Sequence, residues 1–331
     1  MSESPLIDSF GRIHKNLRIS VTDRCNIRCF YCMPEVVKFL PREDVLTFEE
    51  IMRLARVFAS VGIERIRLTG GEPLARRGLS DLVRMLKEID GIKEIAATTN
   101  GLLLADQVAG LREAGLDRLN VSLDTLDADK FQQITRRNGL DQVIAGIEAA
   151  QDAGFNNIRV NAVAIAGLTE SDIIPLAKFA RQRGLELRFI EFMPLDGDQQ
   201  WNSKSVMTGS SIRKTIEREI GALVEAERKL ASQPAVDFAY ADGQGRVGFI
   251  DPVSAPFCSA CDRVRITAEG KLRNCLFSTQ EWNLLELLRD GSKDAEILDL
   301  IVQSVAQKKA GHGIDSDEFV RPGRAMYQIG G

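Results

Sequence analysis

Three cysteines stand within eight residues, Cys25, Cys29 and Cys32, in the spacing Cys-x3-Cys-x2-Cys. A second trio follows far downstream, Cys258, Cys261 and Cys275, spaced Cys-x2-Cys-x13-Cys. These six are all the cysteines of the chain. Clustered thiols in a reducing compartment read as metal ligands rather than disulfides. A structural zinc site asks for four protein ligands. The chain has only two histidines, His14 and His312, and neither stands beside a trio in sequence. Three thiolates can instead hold three irons of a four-iron cluster. The fourth iron then stays open for chemistry, as catalytic zinc keeps one position free. A [4Fe-4S] cluster is expected at each trio, with two small zinc sites as the alternative.

The elements that must position these thiols read as alternating strands and helices. Leu17–Val21 alternates apolar and polar residues and runs directly into the first cysteine loop. Thr47-Phe48-Glu49-Glu50 is a capping box opening a helix with the apolar stripe Ile51, Leu54, Ala55 and Phe58, closed by Gly62. Further strands are expected at Arg65–Thr69, Glu94–Thr98, Arg118–Leu123, Asn157–Val163 and Glu186–Phe192, with helices near 79–86, 105–114, 140–153 and 172–183 between them. This alternation predicts an α/β fold, an incomplete six-unit (β/α) TIM-like barrel with a smaller C-terminal region carrying the second trio. A doubly wound sheet is the rival, but the cysteine loop occupies the place of a Gly-x-Gly-x-x-Gly turn. The division is expected near residue 230, into 1–230 and 231–331. Beyond the barrel, helices are expected near 212–220, 282–290 and 294–308, and strand-like runs within 236–250.

One face of several strands is polar: Arg18 and Ser20; Arg65, Arg67 and Thr69; Asn120, Ser122 and Asp124; Arg159 and Asn161. Closed barrels fill their lumen with branched aliphatics. An arginine-rich lumen makes sense only around water or an anionic ligand, because unpaired buried charge is costly. The unusual segments Gly70-Gly71-Glu72-Pro73, Thr98-Thr99-Asn100-Gly101 and Glu191-Phe192-Met193 fall at strand carboxyl ends, where such folds place their chemistry.

The run Asp23-Arg24-Cys25-Asn26…Cys32-Met33-Pro34 resembles the radical S-adenosyl-L-methionine (SAM) superfamily. Together with Cys258-x2-Cys261-x13-Cys275, Arg263, Arg265 and the terminal Gly330-Gly331, it is similar to the GTP 3′,8-cyclase family of that superfamily. The resemblance implies two [4Fe-4S] clusters and SAM as cofactors. It implies SAM contacts at Tyr31, Gly71, Ser122 and Met193. GTP contacts are implied at Arg18, Arg67, Thr98, Arg159, Arg263, Val264 and Arg265. Position 159 carries arginine where the family pattern has lysine, which keeps the charge and changes the donor geometry. Gly330 and Gly331 are implied to reach into the site in support of catalysis.

The activity implied is that of a lyase of molybdenum cofactor biosynthesis. A 5′-deoxyadenosyl radical abstracts the ribose 3′ hydrogen of GTP, and the sugar radical attacks guanine C8. The product would pass to cyclic pyranopterin monophosphate synthase, and an electron donor is required. The rivals are a peptide-maturing radical SAM enzyme with an auxiliary cluster, and a zinc-dependent binding module. The formal charge of −4 argues against bulk nucleic-acid binding. No apolar run is long enough to span a bilayer, and Met1–Phe10 lacks the regions of a signal peptide. The expected location is cytoplasmic, with no nucleic-acid or membrane partner. The oligomeric state is left open, a homodimer included.

Overall fold

The fold was analysed in a computed structural model that describes residues 4–228, 230–317 and 319–330. Six strands, β1 (Asn16–Ser20), β2 (Arg65–Thr69), β3 (Glu94–Thr99), β4 (Arg118–Ser122), β5 (Arg159–Ala164) and β6 (Glu186–Glu191), pair in sequence order and all in parallel. The helices between them are α1 (Phe48–Ser60), α2 (Leu79–Lys87), α3 (Leu104–Glu113), α4 (Ala128–Thr135), α5 (Leu140–Asp152) and α6 (Ile173–Gln182). In α1 the expected capping box forms: Thr47 accepts from the Glu50 amide, and the Glu50 carboxylate accepts from the Thr47 amide. Its stripe Ile51, Leu54, Ala55 and Phe58 is fully buried. Gly62 follows with φ +91°, a conformation glycine adopts without the cost of a Cβ.

Alternate strand residues meet these helices. Leu17, Ile19, Ile66, Leu68, Leu119 and Val121 all lie in one apolar core, and burying each such side chain contributes about 1.5–3 kcal/mol. The opposite faces, including Arg18, Arg67, Asn120 and Arg159, line a lumen. The expected polar lumen is therefore present.

The rest of the chain is α7 (Gly209–Glu219), β7 (Leu223–Glu225), β8 (Val236–Tyr240), β9 (Arg246–Ile250), β10 (Arg263–Ile266), β11 (Lys271–Arg273), β12 (Trp282–Asn283), α8 (Leu284–Arg289), α9 (Asp294–Ala306) and α10 (Met326–Ile329). Strand β9 extends the sheet beyond β6, and β10 extends it beyond β1, both in parallel. The full order is β12-β11-β10-β1-β2-β3-β4-β5-β6-β9-β8-β7. Among the described residues no ladder joins the two ends, so the barrel is incomplete.

Two local expectations differ from the structure. The stretch 282–290 opens as a short strand before α8, because Trp282 pairs with Leu272 across the sheet. Helix α4 was not expected; Asp127 caps it by accepting from the Lys130 amide.

Candidate active site

The first cysteine loop is stitched to the loop after β2. The Gly71 and Glu72 amides donate to the carbonyls of Thr22 and Arg24, each at 2.8 Å. A Cβ on Gly71 would lie 2.4 Å from the Arg24 carbonyl oxygen, so only glycine permits this approach. Glu72 is buried and accepts from Thr99 Oγ1, the Asn100 amide and the Leu74 amide. Burial nevertheless pushes its carboxyl up to about 7. Asn100 Nδ2 points at Asn26 Oδ1, 2.7 Å away, and at the Cys25 sulfur, 3.7 Å away. Tyr31 donates at 2.6 Å to Asp124, whose other oxygen accepts from the Val163 amide. Burial raises the Asp124 carboxyl to about 6.

The second trio is built differently. Cys258 opens a short 3-10 turn, Cys258–Ala260, that places Cys261 just before β10. Cys275 follows β11. Alternation along β10 turns Arg263 and Arg265 to the lumen and buries the Val264 side chain in the core, so Val264 offers the lumen only its backbone. Arg263 Nε and Nη2 lie 3.4 and 3.3 Å from the Cys261 sulfur, and Lys308 Nζ lies 3.4 Å from it. Burial opposes ionisation there, but Arg263 and Lys308 bring the Cys261 thiol down to about 6.

Both trios open onto one cavity of about 620 Å³, within the range of small-molecule sites. Tyr31, Gly71, Ser122, Met193, Thr98 and all five named arginines line it too. Strand register arranges them in rows. Thr98, Asn120, Arg159 and Glu186 stand side by side on β3 to β6, and Ser122, Asn161 and Arg188 form the row beside them. The arginines fall into two sets. Arg65 pairs with Asp262, Arg118 with Glu94, Arg159 with Glu186 and Arg188 with Asp237. Among the described residues no carboxylate pairs with Arg18, Arg67, Arg263 or Arg265. Burial and the repulsion of Arg18 and Arg159 lower Arg67 to about 9; burial and Arg263 lower Arg18 to about 10. Both remain cations at neutral pH.

The tail enters the same cavity. Met326 bonds to the Leu195 carbonyl, Ile329 is fully buried, and Arg265 donates to the Gly330 carbonyl. Gly330 has φ +77°, and a Cβ there would meet Ser20 Oγ at 2.4 Å and Thr69 Oγ1 at 2.6 Å. Gly331 lies outside the described residues.

The donor sets fit iron–sulfur clusters. All six thiols are free. Among the described residues no three His, Cys, Asp or Glu side chains converge as a single-ion site does. Three cysteines lining one cavity suit a cluster, in which each of three irons takes its own thiolate. The residues missing from the sequence reading are Arg118, Arg188, Lys308 and, as a site residue, His14. The alternation Glu186, Arg188, Ile190 carried the signal for Arg188; Lys308 has no local signal.

Residues 19–180 match the family described as the radical SAM superfamily, and residues 185–314 match Molybdenum Cofactor Synthesis C. The chain is 53% identical over 330 residues to the GTP 3′,8-cyclase of Rhodopirellula baltica, covering 98% of this chain and 92% of that protein. It is 45% identical over 337 residues to the GTP 3′,8-cyclase of Corynebacterium glutamicum, covering 98% and 89%. Among solved structures it resembles Streptococcus suis SuiB bound to precursor peptide SuiA, with TM-score 0.62 at 15% identity over 95% of this chain and 76% of that one. It also resembles methylornithine synthase, with TM-score 0.50 at 20% identity over 62% of each chain. These two likenesses are of fold: a TIM-like (β/α) barrel. The sequence relatives go further, and the chain belongs to the GTP 3′,8-cyclase family of the radical SAM superfamily.

Proposed function

We propose that this chain is a cytoplasmic GTP 3′,8-cyclase that converts GTP to (8S)-3′,8-cyclo-7,8-dihydroguanosine 5′-triphosphate in molybdenum cofactor biosynthesis. The observation that carries this reading is the single cavity walled by both cysteine trios and by arginines that have no carboxylate partner among the described residues. Cys25, Cys29 and Cys32 hold one [4Fe-4S] cluster, and Cys258, Cys261 and Cys275 hold a second. With SAM bound at the first, the cofactors would supply a 5′-deoxyadenosyl radical by one-electron cleavage of the SAM sulfonium bond, with methionine released and the electron coming from the separate donor through the cluster.

The chain's own residues bind, orient and shield. Tyr31, fixed by its bond to Asp124, and Gly71, Ser122 and Met193 contact SAM. Arg18, Arg67 and Arg265 take the triphosphate, because guanidinium groups bind phosphate oxygens bidentately. Thr98, Arg159, Arg263 and the Val264 backbone complete the GTP site. Arg159 already pairs with Glu186, so it contributes to GTP only by sharing or leaving that partner. GTP then bridges the trios, its ribose C3′ toward the first and its guanine toward the second. The tail, whose Gly330 carbonyl accepts from Arg265, supports catalysis from the edge of the cavity. The division near residue 230 separates the barrel that carries the first trio from the C-terminal region that carries the second, and residues from both sides bind GTP. The product goes to cyclic pyranopterin monophosphate synthase, and a separate electron donor reduces the protein.

Two measurements test the proposal. Anaerobically prepared protein is expected to hold about eight irons per chain with matching sulfide; two zincs and no labile sulfide would overturn it. Incubation with reductant, SAM and GTP is expected to yield 5′-deoxyadenosine and consume GTP together. Deoxyadenosine without GTP loss would leave the superfamily assignment standing and remove the substrate.

A further inference from the structure

Behind the second trio lies a buried polar cluster that the proposed chemistry does not use. Lys308, just past α9, is 3% exposed. Its ammonium donates to the Arg263 carbonyl at 2.7 Å, stands 3.0 Å from His14 Nε2, and points at the Cys261 sulfur from 3.4 Å. These three partners match the three hydrogens of an ammonium. Among the described residues no carboxylate pairs with it. Asp8, 3.7 Å from His14, is already taken by Arg12 at 2.6 Å. A buried ammonium without a counter-charge is strongly unfavourable. Among its described partners, the Cys261 sulfur is the one that can carry the negative charge it requires. Arg263 brings a second cation to that same sulfur, while among the described residues no cation donates to the sulfur of Cys258 or Cys275.

The amino-terminal segment holds this arrangement in place. The Arg12 guanidinium, fixed by Asp8, donates to the carbonyls of Cys258 (2.8 Å), Lys309 (2.7 Å) and Ala310 (2.9 Å). One side chain thus ties the first turn of the trio to the segment carrying Lys308. Asp8, Arg12 and His14 are all buried.

We propose that Lys308 is a positioning residue of the second trio: held by His14 and the Asp8–Arg12 clamp, its ammonium fixes the charge at Cys261 and raises the reduction potential of a cluster bound there. The assignment rests on the reading of this trio as a cluster site. A fixed positive charge beside a cluster sulfur stabilises the reduced, more negative state, and hydrogen bonds to the sulfurs act in the same sense.

The test uses the full-length holoprotein and redox titration followed by electron paramagnetic resonance, with the second cluster identified as the signal that GTP perturbs. Lys308→Met removes the charge and keeps the bulk; Lys308→Arg keeps the charge. In K308M the midpoint of the GTP-sensitive signal is expected to shift down while the other signal stays in place. K308R is expected to stay near wild type, and His14→Gln to move part of the way toward K308M. K308M holding only about four irons per chain while K308R holds about eight would overturn the assignment, because the charge would then be needed to retain the cluster rather than to set its potential. Equal midpoints in wild type, K308M and K308R would overturn it, as would loss of the second cluster in both variants alike. Wild-type protein with one signal and about four irons would overturn the two-cluster reading, and this assignment with it.

Discussion

An arginine keeps its charge with or without a partner, so pairing decides what it can bind. Arg65, Arg118, Arg159 and Arg188 already have carboxylates, whereas among the described residues Arg18, Arg67 and Arg265 face the cavity without one. A charge-assisted hydrogen bond is worth about 1.5–3 kcal/mol. Arg67→Ala is therefore expected to weaken GTP binding about ten- to hundredfold, with iron content unchanged, as read by anaerobic equilibrium dialysis. The unpaired set was legible in the strand alternation, but its separation from the paired set was not. Glu186 meets Arg159 as its register partner, and Glu94 meets Arg118 diagonally on the neighbouring strand, placements that composition does not record. Glu72 gives a pH prediction. Burial raises it from 4.5 to about 7, so between those values the folded chain keeps a proton that the unfolded chain has lost. Its contribution to stability then falls as pH rises through that window. The melting temperature of apo wild type minus that of Glu72→Gln is expected to drop from about pH 5 to about pH 7.5; a flat difference would contradict it.

At the scale of elements, the two loops at the ends of β1 and β2 act as one unit. Gly71→Ala would press a Cβ on the Arg24 backbone, which has no side chain to yield. This variant is expected to lose SAM binding, measured by anaerobic calorimetry, while keeping the iron of the second trio. The tail has a similar constraint at its other end. Gly330→Ala combines a positive φ with contact on Ser20 and Thr69, so GTP consumption is expected to fall sharply while 5′-deoxyadenosine formation persists. Most elements could be read from the sequence because local and tertiary signals agree: the Thr47 capping box, the Arg65–Thr69 alternation and the stripe of α1 each point one way. Helix α4 was missed because its apolar stripe is short, with Phe131 and Ile134 as its buried anchors. The β12 strand was missed because two residues carry no period, and only pairing with β11 defines it.

The whole molecule joins parts far apart in the chain. Strands β9 and β10 attach the C-terminal region to opposite edges of the six-stranded barrel. Attachment through β10 brings Arg263 and Arg265 into register beside Asn16 and Arg18. The second trio then faces the same cavity as the first, across more than two hundred residues of intervening sequence. Cysteine spacing marked both trios from the sequence alone. That they share one cavity depends on strand pairing at the barrel edge, for which Val264 and Arg265 gave no local sign. Among the described residues no helix is long and apolar enough to cross a membrane. The proposed reaction makes a direct demand on the architecture, because it requires a radical made at one trio to reach GTP held at the other. GTP carrying deuterium at ribose C3′, incubated anaerobically with reductant, SAM and the holoprotein, is expected to transfer that deuterium into 5′-deoxyadenosine as GTP is consumed. GTP consumption with unlabelled 5′-deoxyadenosine would contradict the proposed reaction.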